Sequence, residues 1–260
     1  MNLNPPISSA WTLDRDRVDL WCVRWDAALA LQMEDEYRRL LPEAERAACD
    51  RFVFASGRQQ CLISRVLVRT ALAAYTNVAP DGWRFSAGAF GKPQVDHPTD
   101  CPLGFNLSHT AGLIACAVSQ GSILGVDVED LGRRVSDESI AGRYFAPEEV
   151  AALGMSPPLE RSTRFLEFWT LKEAFLKAHG AGLSIPLRAF SFTLAENQPP
   201  RVQFHDPSLG DPRHWQFFAF RFADRYQVAV AVNRPMETPM SVRWVDTVPL
   251  RYARLGGRLA

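Results

Sequence analysis

Three carboxylates in this chain stand where a carboxylate is hard to explain as ordinary surface. Asp127 and Glu129 lie two apart in Gly125-Val126-Asp127-Val128-Glu129, which continues the apolar run Ile123-Leu124. In a strand, residues two apart share a face, so both acids point one way and Val126 and Val128 the other. Side by side the two repel, and neither is cheap to bury without a cation between them. The third acid is Glu173, in Trp169-Thr170-Leu171-Lys172-Glu173-Ala174-Phe175-Leu176-Lys177. If Glu173 joins the pair, three hard oxygen ligands converge, as a magnesium ion working on phosphates requires.

A helical reading places Phe168, Leu171, Phe175 and Ala178 on one apolar stripe. Glu173 projects from the other side, where Trp169 and Leu176 flank it, so the carboxylate emerges in a largely desolvated setting. The bland alternative is an exposed Glu173–Lys177 pair at i, i+4, worth a few tenths of a kcal/mol.

Phe105-Asn106-Leu107-Ser108-His109-Thr110 places two hydroxyls and an imidazole in a strand-end turn, all able to donate to phosphate oxygens. A capped turn would explain the same residues. A serine-hydrolase reading fails, since adjacent residues rarely face each other as nucleophile and base and no GxSxG elbow is present. Gly91-Lys92-Pro93 offers one cation on stiff backbone but is not a P-loop. Arg46, Arg51, Arg58, Arg65 and Arg69 crowd one region, either as phosphate-binding forks or as partners of Glu43, Glu45 and Asp50. The remaining histidines, His97, His179, His205 and His214, show no zinc spacing. The arginines of 243–258 read as solubilising a late strand and terminus.

These groups need elements to hold them. The spacing of Leu62, Val66, Arg69 and Leu72 predicts a helix over Gly57–Tyr75, followed by strands near Trp83–Phe85, Leu103–Leu107 and Leu113–Val118. About 105 residues later the order recurs: a helix Ser162–His179 with a glycine stop, then Phe190–Leu194, Val202–Phe204, Gln216–Phe222 and Tyr226–Val232. The last strand pair of each half reads as a hairpin with a polar turn, Ser108-His109-Thr110 in one and Ala223-Asp224-Arg225 in the other. This predicts an α+β protein of two similar halves about a pseudo-twofold axis, 1–121 and 122–260. The join falls near Ser119–Ser122, and the cleft between the halves is the expected site. A chance likeness of two hairpins is the alternative.

At 260 residues and 47% apolar content, the chain can build a substantial core. Lys plus Arg and Asp plus Glu both number 29, so no global field recruits nucleic acid or a membrane, and an anionic ligand must be held locally. Cys22, Cys49, Cys61, Cys101 and Cys116 have no CxxC spacing and read as reduced thiols of a cytoplasmic protein. Met1–Pro6 does not read as a signal peptide, and no apolar run approaches a membrane span.

In order and spacing, Gly91-Lys92-Pro93, Phe105–His109, Gly125–Glu129 and Trp169–Ala174 with Lys177 resemble the motif series of Sfp-like 4′-phosphopantetheinyl transferases. The resemblance runs from about Leu41-Pro42-Glu43 to Val232. It implies a fold of two α+β halves with the site between them. It implies transfer of the phosphopantetheine arm from coenzyme A to a serine of an apo acyl or peptidyl carrier protein, releasing adenosine 3′,5′-bisphosphate. By the same resemblance Asp127, Glu129 and Glu173 would hold Mg²⁺. Lys177 and His109 would meet phosphate oxygens, with Ser108 and Lys92 assisting, and Glu173 would also take the serine proton. The resemblance thins near Arg51-Phe52. Cys61 stands where relatives carry a hydroxyl, and Arg46, Arg51 and Arg58 are the substitutes for the missing basic residues. A monomer is implied. Two other classes use the same residues: a non-catalytic coenzyme A-binding module and a metal-dependent pyrophosphate hydrolase.

Overall fold

The computed structural model describes residues 11–88, 91–133 and 137–258. The Met1–Pro6 segment that carries the leader expectation lies outside them. Two sheets stack between two sets of helices. The larger sheet has the order β12 (Tyr252–Arg258), β11 (Ser241–Val248), β1 (Arg17–Arg24), β5 (Leu113–Gln120), β4 (Leu103–Thr110). The smaller has the order β6 (Ile123–Asp130), β10 (Tyr226–Asn233), β9 (Trp215–Phe222). Neighbours are antiparallel except β1 and β11, which are parallel.

Strand alternation assigns each face. Along β5, Ile114, Cys116 and Val118 pack toward α1 (Ala27–Leu40) and α3 (Ala55–Ala73). Leu113, Ala115 and Ala117 turn to the other face and meet Val126, Val128, Val228, Val230 and Val232 of the smaller sheet. On the far face of that sheet, Ala229 and Ala231 pack against α6 (Arg161–His179). Strands covered on both faces read as continuous apolar runs, as Val228–Val232 does.

Helix α6 ends where predicted, on Gly180 in the left-handed conformation at φ 81°. Its N-terminal turns stack Phe165 and Trp169 on Phe145, at 5.1 and 6.4 Å between ring centres. Helices α4 (Asp137–Tyr144) and α5 (Pro147–Met155) lie beside it.

Three expectations are corrected. The half written as 122–260 gives its last two strands to the sheet of the first half, where β11 extends β1 and Arg243 binds the buried Asp19. Ser108, His109 and Thr110 end β4 itself, and the turn falls at Ala111-Gly112. The other turn is as expected, with Ala223 and Asp224 at positive φ. Finally, Cys49 of α2 (Glu43–Asp50) and Cys61 of α3 form a disulfide, leaving Cys22, Cys101 and Cys116 free. Spacing alone does not expose that pairing, because it is the 51–54 reversal between the two helices that brings the sulfurs together.

Two short hairpins complete the chain: β2 (Arg84–Ala87) with β3 (Pro93–His97), and β7 (Phe190–Thr193) with β8 (Arg201–Phe204). Among the described residues no helix is long and apolar enough to cross a membrane.

Candidate active site

Strand β6 and helix α6 meet at Gly125. A Cβ there would stand 2.1 Å from the Ala174 carbonyl oxygen and 2.5 Å from the Ala178 nitrogen, so only glycine allows this approach. Residues 125, 127 and 129 share the face turned to α6, which brings Asp127 under Glu173 and Lys177. The Lys177 ammonium donates to Asp127 Oδ1 at 2.7 Å and to Ser108 Oγ at 2.9 Å, and Ser108 donates to the same Asp127 oxygen at 2.9 Å. Lys177 therefore turns to the strand carboxylate, and the exposed Glu173–Lys177 pair is not what the fold builds.

Asp127 is buried, and its second oxygen, Oδ2, has no hydrogen-bond partner. Its charge bears on both other acids. Burial first, then Asp127, raises the Glu173 pKa above the usual carboxylate range, with Lys177 opposing. Burial and Asp127 raise that of Glu129 likewise, against Arg133, Lys177 and a hydrogen bond from Trp169. His109, though exposed, has protein packed along its ring, and that packing lowers its pKa.

Among the described residues no three His, Cys, Asp or Glu side chains stand close enough together to share an ion. Magnesium does not require that. It keeps several waters and is held by one or two carboxylates plus substrate phosphates. Hard oxygen donors and a buried, unpartnered Asp127 oxygen fit such an ion. Asp127, with one of its neighbours Glu129 and Glu173, would hold it.

A cleft of about 300 Å³ opens here, walled by Glu173, Lys177, Asn106, Leu107, Gly91 and Lys92. A second cleft of about 420 Å³ shares Gly91, Pro93 and Leu107 with it and leads past His109 to Ser64, Arg65, Arg69 and Phe85. Arg69 is buried, binds Glu45 at 2.8 Å and lies 4.9 Å over the Phe85 ring. Its Nε and the Ser64 hydroxyl have no partner.

Not all of the expected residues gather here. Arg46 donates to the Arg38 and Leu41 carbonyls and Arg58 to those of Phe52 and Val53, and neither they nor Arg51 line these clefts. Arginines close off helix ends and loops readily, which spacing cannot distinguish from ligand binding. Arg65 and Arg69 are the cleft arginines. Lys172 points away from the acids, fully buried, and binds Glu149 at 2.8 Å and the Leu187 and Phe190 carbonyls at 2.8 and 2.7 Å. Lys92 and Ser108 are near the acids but already engaged by protein. Sequence reasoning missed the role of Trp169 as a donor to Glu129 and of Asn106 as an acceptor for β6.

The chain matches two family models. Residues 28–121 match the 4′-phosphopantetheinyl transferase N-terminal model, and residues 123–231 match the 4′-phosphopantetheinyl transferase superfamily model. A 4′-phosphopantetheinyl transferase of Bacillus subtilis is 32% identical over 72% of this chain and 81% of its own length. The 4′-phosphopantetheinyl transferase HetI of a Nostoc species is 35% identical over 74% and 80%. The transferase Sfp of Bacillus subtilis is 28% identical over 83% and 92%. With the two models meeting at the turn before β6 and the relatives covered over most of their length, the chain belongs to the 4′-phosphopantetheinyl transferase family and is an enzyme of that type.

Proposed function

We propose that this enzyme moves the 4′-phosphopantetheine arm of coenzyme A onto a serine of an apo acyl or peptidyl carrier protein, with Mg²⁺ as cofactor. The observation that carries the reading is the buried Asp127, with its second oxygen unpartnered and the other held by Lys177, which lines the smaller cleft together with Glu173. The bond that forms joins the serine oxygen to the pantetheine-bearing phosphorus. The bond that breaks is the pyrophosphate bridge, and adenosine 3′,5′-bisphosphate leaves. The serine proton goes to Glu173, directly or through water.

Lys177 and His109 face the phosphate path and bind its oxygens, and Lys177 adds charge as the leaving group develops its own. A bound Mg²⁺ supplies charge neutralisation at the pyrophosphate. The apolar walls and the Arg65–Arg69 pair suit a nucleotide end. Position and charge then account for most of the rate, as in phosphoryl transfer generally. Residues 1–121 and 122–260 act as two halves about a pseudo-twofold axis, with the last two strands of the second lent to the sheet of the first. Since one chain supplies both walls, a monomer suffices.

The test is mass spectrometry of apo carrier proteins incubated with coenzyme A and Mg²⁺. One added phosphopantetheine arm is expected on the carrier serine. No addition on any of several carriers would sink the proposal, and release of phosphopantetheine without a carrier would indicate a hydrolase instead.

A further inference from the structure

Strand β6 carries two of the three acids, yet it is the edge of its sheet, paired on one side only, with β10. Backbone groups of alternate residues point to opposite edges, so Leu124, Val126 and Val128 turn theirs to the open side. No strand ladder covers that side. Three side chains of the first half do so. Asn106 Oδ1 accepts from the Val126 N–H at 2.9 Å, Ser108 Oγ accepts from the Val128 N–H at 3.3 Å, and the Lys92 ammonium donates to the Leu124 carbonyl at 3.3 Å.

Lys92 reaches further. It also donates to the Lys177 carbonyl at 2.8 Å. That carbonyl lies in the last turn of α6, where the final four carbonyls lack intrahelical partners and the helix dipole is negative. Lys92 therefore caps α6 from another part of the chain, and Pro93 restricts the backbone that presents it. A single ammonium thus fixes β6 one residue before Gly125 and α6 at Lys177, the residue whose side chain grips Asp127.

We propose that Lys92 and Asn106 are positioning residues: they substitute for a missing strand along the edge of β6 and set where Asp127, Glu129 and Lys177 stand. On this account Lys92 acts through Lys177 and β6, not by touching coenzyme A. Two of its three N–H donors hold the Leu124 and Lys177 carbonyls. Asn106, buried and paired to a backbone N–H, has the same task one residue before Asp127.

The experiment uses the full chain with Lys92→Met, Lys92→Arg and Asn106→Ala. The first readout is deuterium uptake by peptides covering 123–130 and 173–180, which needs neither coenzyme A nor metal. Uptake should rise in Lys92→Met over both peptides and in Asn106→Ala over the first, and fall back in Lys92→Arg, whose guanidinium can still donate to both carbonyls. The second is transfer kinetics, which rests on the transfer reading above. Lys92→Met should lose about 10- to 100-fold in kcat while KM for coenzyme A stays within about twofold.

Unchanged uptake in Lys92→Met and Asn106→Ala, both folded by circular dichroism, overturns the positioning role. So does a KM raised tenfold or more with kcat preserved, which is the signature of a phosphate contact. Wild-type protein that modifies no carrier while the uptake response holds would overturn the transfer reading and leave the positioning role standing.

Discussion

Replacing Gly125 with Ala adds one methyl group at the closest approach of strand and helix. The new carbon would sit 2.1 Å from the Ala174 carbonyl oxygen and 2.5 Å from the Ala178 nitrogen, both backbone atoms that cannot swing away as a side chain can. A carbon and a carbonyl oxygen in ordinary contact stand at about 3.3 Å or more. The helix must therefore lift from β6 by about 1 Å, carrying Glu173 and Lys177 with it. The 2.7 Å contact from Lys177 to Asp127 cannot survive that unaltered. A misplacement of this size costs a transferase on the order of 100-fold in rate. Overpacking costs about 1–3 kcal/mol, or a Tm lower by roughly 2–12 °C. The assay pairs single-turnover transfer onto an apo carrier with a thermal melt. Gly142→Ala is the control: nothing stands within 4 Å of its added carbon, and alanine favours the helix it lies in. It should keep full rate and Tm. A Gly125→Ala protein with wild-type rate and Tm would refute the claim that this contact sets the site.

Three further outcomes follow from the packing. Lys172→Met removes an ammonium that satisfies the buried Glu149 and two carbonyls, so it should cost about 3–5 kcal/mol in denaturant unfolding. A cost below about 1 kcal/mol would contradict a charged pair. Reduction of Cys49–Cys61, which closes a sequence separation of 12, should lower stability by about 2–4 kcal/mol, with a thiol titration rising from three groups to five. Five thiols in untreated, unfolded protein would deny the bond. Arg213 and the Arg213 backbone N–H hold Asp211 down to about 2, so its contribution is full above about pH 4 and fades as pH falls toward 2. The Tm gap between wild type and Asp211→Asn should shrink over that range, and a gap constant from pH 7 to 2 would show that no such pairing exists.

The acids and the helix above them were legible because they obey short periods. Two-residue alternation puts Asp127 and Glu129 on one face, and the apolar crowding around Glu173 makes its carboxylate hard to leave as plain surface. The hairpin pattern gave β9–β10 close to their extents for the same reason, but ended β4 at Leu107, three residues short. What escaped depends on long-range packing. That β11 pairs with β1 joins residues more than 200 positions apart, and nothing local encodes it. The arginines misled because a guanidinium serves a carbonyl, a carboxylate or a phosphate equally well, so Arg46 and Arg58 went to backbone carbonyls while Arg65 and Arg69 reached the cleft. Lys172, next to Glu173 in sequence, serves Glu149 instead, since consecutive helical residues point about 100° apart.

The account stands most directly on Asp127. Asp127→Asn keeps the shape and removes the charge that Lys177 and a bound Mg²⁺ would share. The measurement is carrier modification by mass spectrometry at saturating coenzyme A, with coenzyme A binding measured on the same protein. The account predicts an Asp127→Asn protein that folds and still binds coenzyme A, yet transfers at least about 100-fold more slowly than wild type, the scale of losing a charge-stabilising group. Transfer at the wild-type rate by Asp127→Asn would contradict it.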